Sequence, residues 1–70
     1  MRELIRITVN GELHEVEQGA SVADWLAARG IDPKSVVVER NREIVPRSQW
    51  AGVRLAANDQ MEIVGVVGGG

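Results

Sequence analysis

Hydrophobic and polar residues alternate from Leu4 to Val9, with Ile5, Ile7 and Val9 on one side and Leu4, Arg6 and Thr8 on the other. A period of two predicts a β-strand. Asn10-Gly11 follows, a pair suited to a type I′ turn because both central residues need positive φ. Glu12 to Glu17 reads as the returning strand, with His14 and Val16 sharing a face. After Gly19-Ala20 the period changes. Ser21-Val22-Ala23-Asp24 has the form of a capping box with Asp in the third helical place. Val22, Trp25, Leu26 and Arg29 recur at helical spacing. Gly30 suits the left-handed position past the helix, Ile31 the apolar contact that accompanies it, and Asp32-Pro33 the stop.

Val36-Val37-Val38 is a β-branched run that predicts a central strand. Arg40-Asn41-Arg42 reads as a turn, and Glu43-Ile44-Val45 as a brief strand ended by Pro46, which suits a sheet edge. Arg47 to Trp50 forms one helical turn or a loop, and Val53-Arg54-Leu55 leads to a turn at Asn58-Asp59. Gln60 to Val67 is the last strand, with Met61 and Ile63 on one face and Glu62 and Val64 on the other. Gly65 within it suggests a bulge or a close backbone approach. The order strand, strand, helix, strand, short strand, strand is an α+β arrangement, one main helix packed across a sheet. If the first and last strands are neighbours, they run parallel at the centre. The core is expected to include Ile5, Ile7, Val22, Leu26, Val37 and Ile63.

Seventy residues without a cysteine must rely on one small apolar core, with no disulfide or thiolate metal site. At 44% apolar and 26% charged residues the chain reads as globular. A net charge of −2 argues against nucleic-acid binding. No apolar run reaches the length of a membrane span and the start has no signal-peptide pattern, so a cytoplasmic location is expected.

The chemistry-bearing candidates are few. A lone His14 beside Glu12 and Glu15 makes a poor metal cluster and reads as solvated; no metal is expected. Glu15 and Glu17 read as solvent-facing. Trp25 reads as core, whereas Trp50, after a sheet edge, could cover either core or a partner. Arg40, Arg42 and Arg47 could dock an acidic partner or a phosphate, although arginines around turns are usually solvated. No phosphate loop, nucleophile elbow or zinc motif is present. There remains Val66-Val67-Gly68-Gly69-Gly70. Three glycines add no packing and lose the most freedom on ordering, which fits a frayed end. They also form a thread that can enter a channel too narrow for any Cβ, leaving a carboxylate unhindered. Residues 1–67 are expected to form the domain and 68–70 a flexible tail.

Taken together, Val9-Asn10-Gly11, Ser21-Val22-Ala23-Asp24, Asn41 to Arg47 with its Ile44-Val45-Pro46-Arg47 run, Gln49-Trp50, Asn58-Asp59-Gln60 and the glycine end resemble the ubiquitin-like β-grasp family. Within it they look like the sulfur carriers of thiamine-thiazole biosynthesis, the ThiS family. The third glycine, Gly68, and Arg29 on the helix depart from the usual pattern. The resemblance implies a mixed sheet with one helix. It implies that Gly70 is adenylated and then converted to a thiocarboxylate that donates sulfur to thiazole synthesis. Gly68, Gly69, Val66 and Val67 would occupy the partner's channel, with Arg47 and Trp50 on a partner surface. The implied partners are a ubiquitin-activating-like (ThiF-like) adenylating enzyme that uses ATP, a thiazole synthase (ThiG-like) and a persulfide sulfur donor. The chain itself would be a co-substrate, not an enzyme, with no bound cofactor. Sulfur supply to molybdopterin or tRNA, and a non-catalytic β-grasp binding module, are the alternatives left open.

Overall fold

In the computed structural model, which describes residues 3–65, Asn10 and Gly11 turn the chain back on itself with φ of 50° and 84°. They join β1 (Leu4–Val9) to β2 (Glu12–Glu17), in register from Leu4 opposite Glu17 to Val9 opposite Glu12. The helix α1 (Val22–Ala28) begins as the capping box predicts: Asp24 N–H donates to Ser21 Oγ at 3.0 Å, and Ser21 N–H donates to Asp24 Oδ2 at 2.9 Å. It ends with Gly30 at φ 68°. There Gly30 N–H donates to the Ala27 carbonyl and Ile31 N–H to the Leu26 carbonyl, both at 3.1 Å. This paired closure satisfies carbonyls that the helix end leaves open. Asp32 then caps a short 3₁₀ turn, Pro33–Ser35.

β3 (Val36–Arg40), β4 (Glu43–Ile44) and β5 (Gln60–Gly65) complete a five-stranded sheet in the order β2-β1-β5-β3-β4. β1 and β5 are parallel, and the remaining pairs are antiparallel. The last strand is thus the central one, and the two-residue β4 lies at an edge before Pro46. Arg47–Gln49 forms a second 3₁₀ turn. Ile7, Val9, Val16, Val38 and Met61 from the sheet, with Val22, Trp25 and Leu26 from the helix, are buried together; Val45, Trp50 and Leu55 close the far side.

Three expectations are corrected. Val37 is 39% exposed, and Val38 is fully buried in its place. The reason is register: Val38 stands opposite Ile63 and Val37 opposite Val64, and residues paired across strands share a face. A core that includes Ile63 therefore takes Val38. Ile5 and Ile63 are only half-buried, at the margins of the core. Gly65 sits in the regular ladder opposite Val36 with open space where a Cβ would stand, so neither a bulge nor a close approach accounts for it. Val66 and Val67, expected to extend β5, and the tail Gly68 to Gly70 lie outside the described residues, as does the boundary between domain and tail.

Candidate functional site

The strand that leads to the glycines is fixed from three directions. On one side β1 gives it a short parallel ladder, Thr8 opposite Gln60 and Val9 opposite Met61. Past the end of β1, the Asn10 side chain continues the pairing: Ile63 N–H donates to Asn10 Oδ1 at 2.8 Å, and Asn10 Nδ2 donates to the Ile63 carbonyl at 3.3 Å. Asn10 therefore tolerates the positive φ of the turn and also stands in for a missing strand residue. On the other side β3 pairs with β5 over five residues, to Val36 opposite Gly65.

The third anchor is Asp59, immediately before β5 and only 5% exposed. Its carboxylate accepts from Arg40 Nε at 2.7 Å, Asn41 Nδ2 at 3.0 Å and Ala56 N–H at 2.8 Å. Asn41 Oδ1 accepts in turn from Gln60 N–H at 2.9 Å. Burial pushes the Asp59 carboxyl up, but the Ala56 amide, the Arg40 guanidinium and the Asn41 amide outweigh it and hold its pKa below the ordinary value of 3.8. This hub ties the turn after β3 to the start of β5. The sequence marks Asn58-Asp59 as a turn, and nothing in its spacing announces the partner nineteen residues earlier.

The other candidate residues fall as follows. Trp50 is 4% exposed and its Nε1 donates to the Val45 carbonyl at 2.8 Å, so its indole covers core and offers a partner little surface. Arg47 beside it is exposed. Arg40, expected in a solvated turn, ends β3 and pairs with Asp59; Arg42 is exposed at φ 71°. Trp25 is buried, and its indole N–H has no hydrogen-bond partner among the described residues. Arg29 is exposed, and its guanidinium lies over the Trp25 ring with Cζ 4.6 Å from the ring centroid, a cation–π geometry.

His14 is likewise not simply solvated. It meets Trp25 edge-on at 5.7 Å between ring centroids, and its Nδ1 is 2.9 Å from Arg29 Nη2. A guanidinium only donates, so that contact assigns the acceptor role to Nδ1 and the proton to Nε2, which is 3.9 Å from Glu12 Oε1. Glu15 and Glu17 are exposed. Among the described residues no group of His, Cys, Asp or Glu is placed to hold a metal ion, and no helix is long and apolar enough to cross a membrane.

A five-stranded mixed sheet in the order β2-β1-β5-β3-β4 crossed by one helix is the β-grasp arrangement, and the sequence that follows its central strand is rich in glycine. The ThiS family model matches residues 3–70, and the chain belongs to that family. It is 42% identical over 50 residues to the sulfur carrier protein ThiS of Bacillus subtilis, covering 71% of this chain and 76% of that one. It is 39% identical over 66 residues to thiazole synthases of Magnetococcus marinus and of Paramagnetospirillum magneticum, covering 94% of this chain and 20% of each of theirs. The chain thus spans about a fifth of the length of those two relatives. The crystal structure of the thiamine biosynthesis protein ThiS from Geobacter metallireducens superposes with a TM-score of 0.82 at 28% identity, covering 94% of this chain and all of that one.

Proposed function

We propose that this chain is a sulfur carrier for thiazole formation in thiamine biosynthesis and that its working group is a carboxylate on Gly70. The observation that carries the reading is the placement of the glycine-rich segment directly after the central strand of a ThiS-family domain. A rigid strand delivers the thread, and glycines let it pass where side chains would clash. The match between this chain and a fifth of each thiazole synthase relative supports a thiazole synthase as the acceptor.

A free carboxylate resists nucleophiles because it is anionic and lacks a good leaving group. An adenylating enzyme joins it to the AMP of ATP, releasing pyrophosphate. A partner's persulfide then attacks the acyl carbon and expels AMP. A thiol cleaves the sulfur–sulfur bond of the resulting acyl disulfide, leaving the thiocarboxylate on Gly70 and a disulfide on the donor side. The carrier supplies no acid or base to these steps and serves as a recycled co-substrate; proximity and charge stabilisation come from the partners. Val66 to Gly69 occupy the enzyme's channel. ATP chemistry of this kind suits the cytoplasm.

The test is ATP–pyrophosphate exchange with a ThiF-like enzyme, using a chain that ends at Gly70 and variants shortened by one and by two glycines. The full chain is expected to exchange, and mass spectrometry of protein from cells should find one oxygen replaced by sulfur. Loss of Gly70 alone reports whether the third glycine sets the reach. Normal exchange by the variant lacking Gly69 and Gly70 overturns the carrier reading and favours a binding module.

A further inference from the structure

β5 is paired unequally on its two sides. β3 accompanies it to its end, from Arg40 opposite Met61 to Val36 opposite Gly65. β1 accompanies it only at Gln60 and Met61 and then turns into β2 at Asn10-Gly11. Among the described residues, no strand lies against the β1 side of β5 beyond Met61. In a parallel ladder, a residue that donates to one carbonyl accepts from the amide two residues farther along. Asn10 keeps that pattern by a substitution. Its N–H donates to the Met61 carbonyl at 2.9 Å, and its side-chain Oδ1, in place of a main-chain oxygen, accepts from Ile63 N–H at 2.8 Å. Nδ2 completes the pair by donating to the Ile63 carbonyl at 3.3 Å. A carboxamide can do this because it carries an acceptor and a donor side by side, as a peptide group does. The turn itself does not call for these contacts. A type I′ turn asks only that its residues tolerate positive φ, and Gly-Gly serves it.

We propose that Asn10 is a positioning residue for the reaction at Gly70: its carboxamide fixes the direction in which β5 leaves the sheet, and so where the glycine segment meets the adenylating enzyme. The inference rests on the carrier reading. A strand bonded along one edge can swing about that edge in the plane of the sheet. A second attachment on the opposite edge, at Ile63 near the end of β5, removes that freedom. The lever is long. From Ile63 to Gly70 the chain spans at most about 25 Å. With the thread held in the enzyme's channel, a swing at Ile63 becomes a mismatch between the docked domain and the channel mouth. A swing of about 10° shifts a point about 20 Å away by about 3.5 Å, and a misplacement of about 1 Å can cost on the order of a hundredfold in rate. Both side-chain bonds lie at the exposed surface, where a hydrogen bond replaces one to water and adds little to global stability. Their effect therefore falls on direction, and the fold does not depend on them.

The test uses Asn10→Gly and Asn10→Asp in chains that end at Gly70. Glycine keeps the turn at a φ of 50° and removes the carboxamide. Aspartate keeps an acceptor for Ile63 N–H and loses the donor to the Ile63 carbonyl. ATP–pyrophosphate exchange with a ThiF-like enzyme is measured well below the melting temperature of each variant. Asn10→Gly should lower kcat by about tenfold or more and leave KM within about twofold of the parent, with Asn10→Asp between the two. Ser21→Ala, which weakens the fold through the helix cap, should exchange as the parent does and so separates lost position from lost stability. Exchange by Asn10→Gly no slower than by Ser21→Ala overturns the inference while the carrier reading stands. A loss confined to KM also overturns it, because Asn10 would then be part of a docking contact. Should Asn10→Gly fail to fold, Asn10→Asp decides: a lowered kcat supports the inference and a parent-like kcat overturns it. Absence of exchange by the parent overturns the carrier reading and this inference together.

Discussion

At the scale of single residues, Asp59 takes hydrogen bonds from Arg40, Asn41 and Ala56 while nearly fully buried. Its pKa is depressed in the folded state, so it contributes stability that is present above the unfolded carboxyl pKa of 3.8 and is lost as pH falls through the lower folded value. Asp59→Asn keeps the shape but removes the charge. Its stability loss should be largest near neutral pH and shrink below about pH 4 as the parent carboxyl protonates; urea midpoints at pH 7 and pH 3 check this. A gap of constant size across that range would mean that the charge of Asp59 is not what matters. Val37 and Val38 make a related point. The two side chains are identical, and only the partner across the strand pair sends one to solvent and the other to the core.

At the scale of elements, the β1–β2 hairpin and α1 are specified locally. Gly11 holds φ at 84° with open space around its missing Cβ, so a substitution there is penalised by backbone strain and not by a clash. Gly11→Val should lower Tm, because a β-branched residue resists positive φ; a parent-like melt would show that the turn changes type at no cost. Ser21→Ala removes the acceptor of the capping bond and should destabilise by about 1 kcal/mol, read as a lower urea midpoint. By contrast, β4 has only two residues and an exposed isoleucine. It persists through its pairing to β3, through Val45 N–H donating to the Val38 carbonyl at 2.9 Å, and through Trp50 packed behind it.

At the scale of the whole molecule, stability is small in absolute terms. A chain of this length holds about 4–10 kcal/mol in total, with no disulfide to add to it. Leu26 is 2% exposed where the helix meets the sheet, and Leu26→Ala should cost about 2–5 kcal/mol. That is enough to leave a substantial unfolded fraction at 37 °C, measurable by calorimetry; a loss below about 1 kcal/mol would mean that the core closes around the gap.

The local vocabulary was legible in the order of residues. Alternation gave β1 and the described part of β5, Asn10-Gly11 gave the turn, and Ser21 to Asp24 with Gly30 gave both helix ends, because each is decided within a few residues. The glycine run is likewise visible in the sequence alone, and the role proposed for it rests on membership of the ThiS family. Other features needed the assembled fold because they are pairings between distant segments. Three consecutive valines have no preferred face until β5 sets their register. His14 is partly covered only because Trp25 and Arg29 reach it from the helix side, and the Trp50 indole N–H finds its acceptor at Val45. Asp59 gathers donors from a turn that is remote in sequence, and Asn10 meets Ile63 only once β1 and β5 lie side by side. Sequence determined what each segment could form by itself; tertiary structure decided which side chains faced each other, because contact across a sheet depends on register and not on separation along the chain.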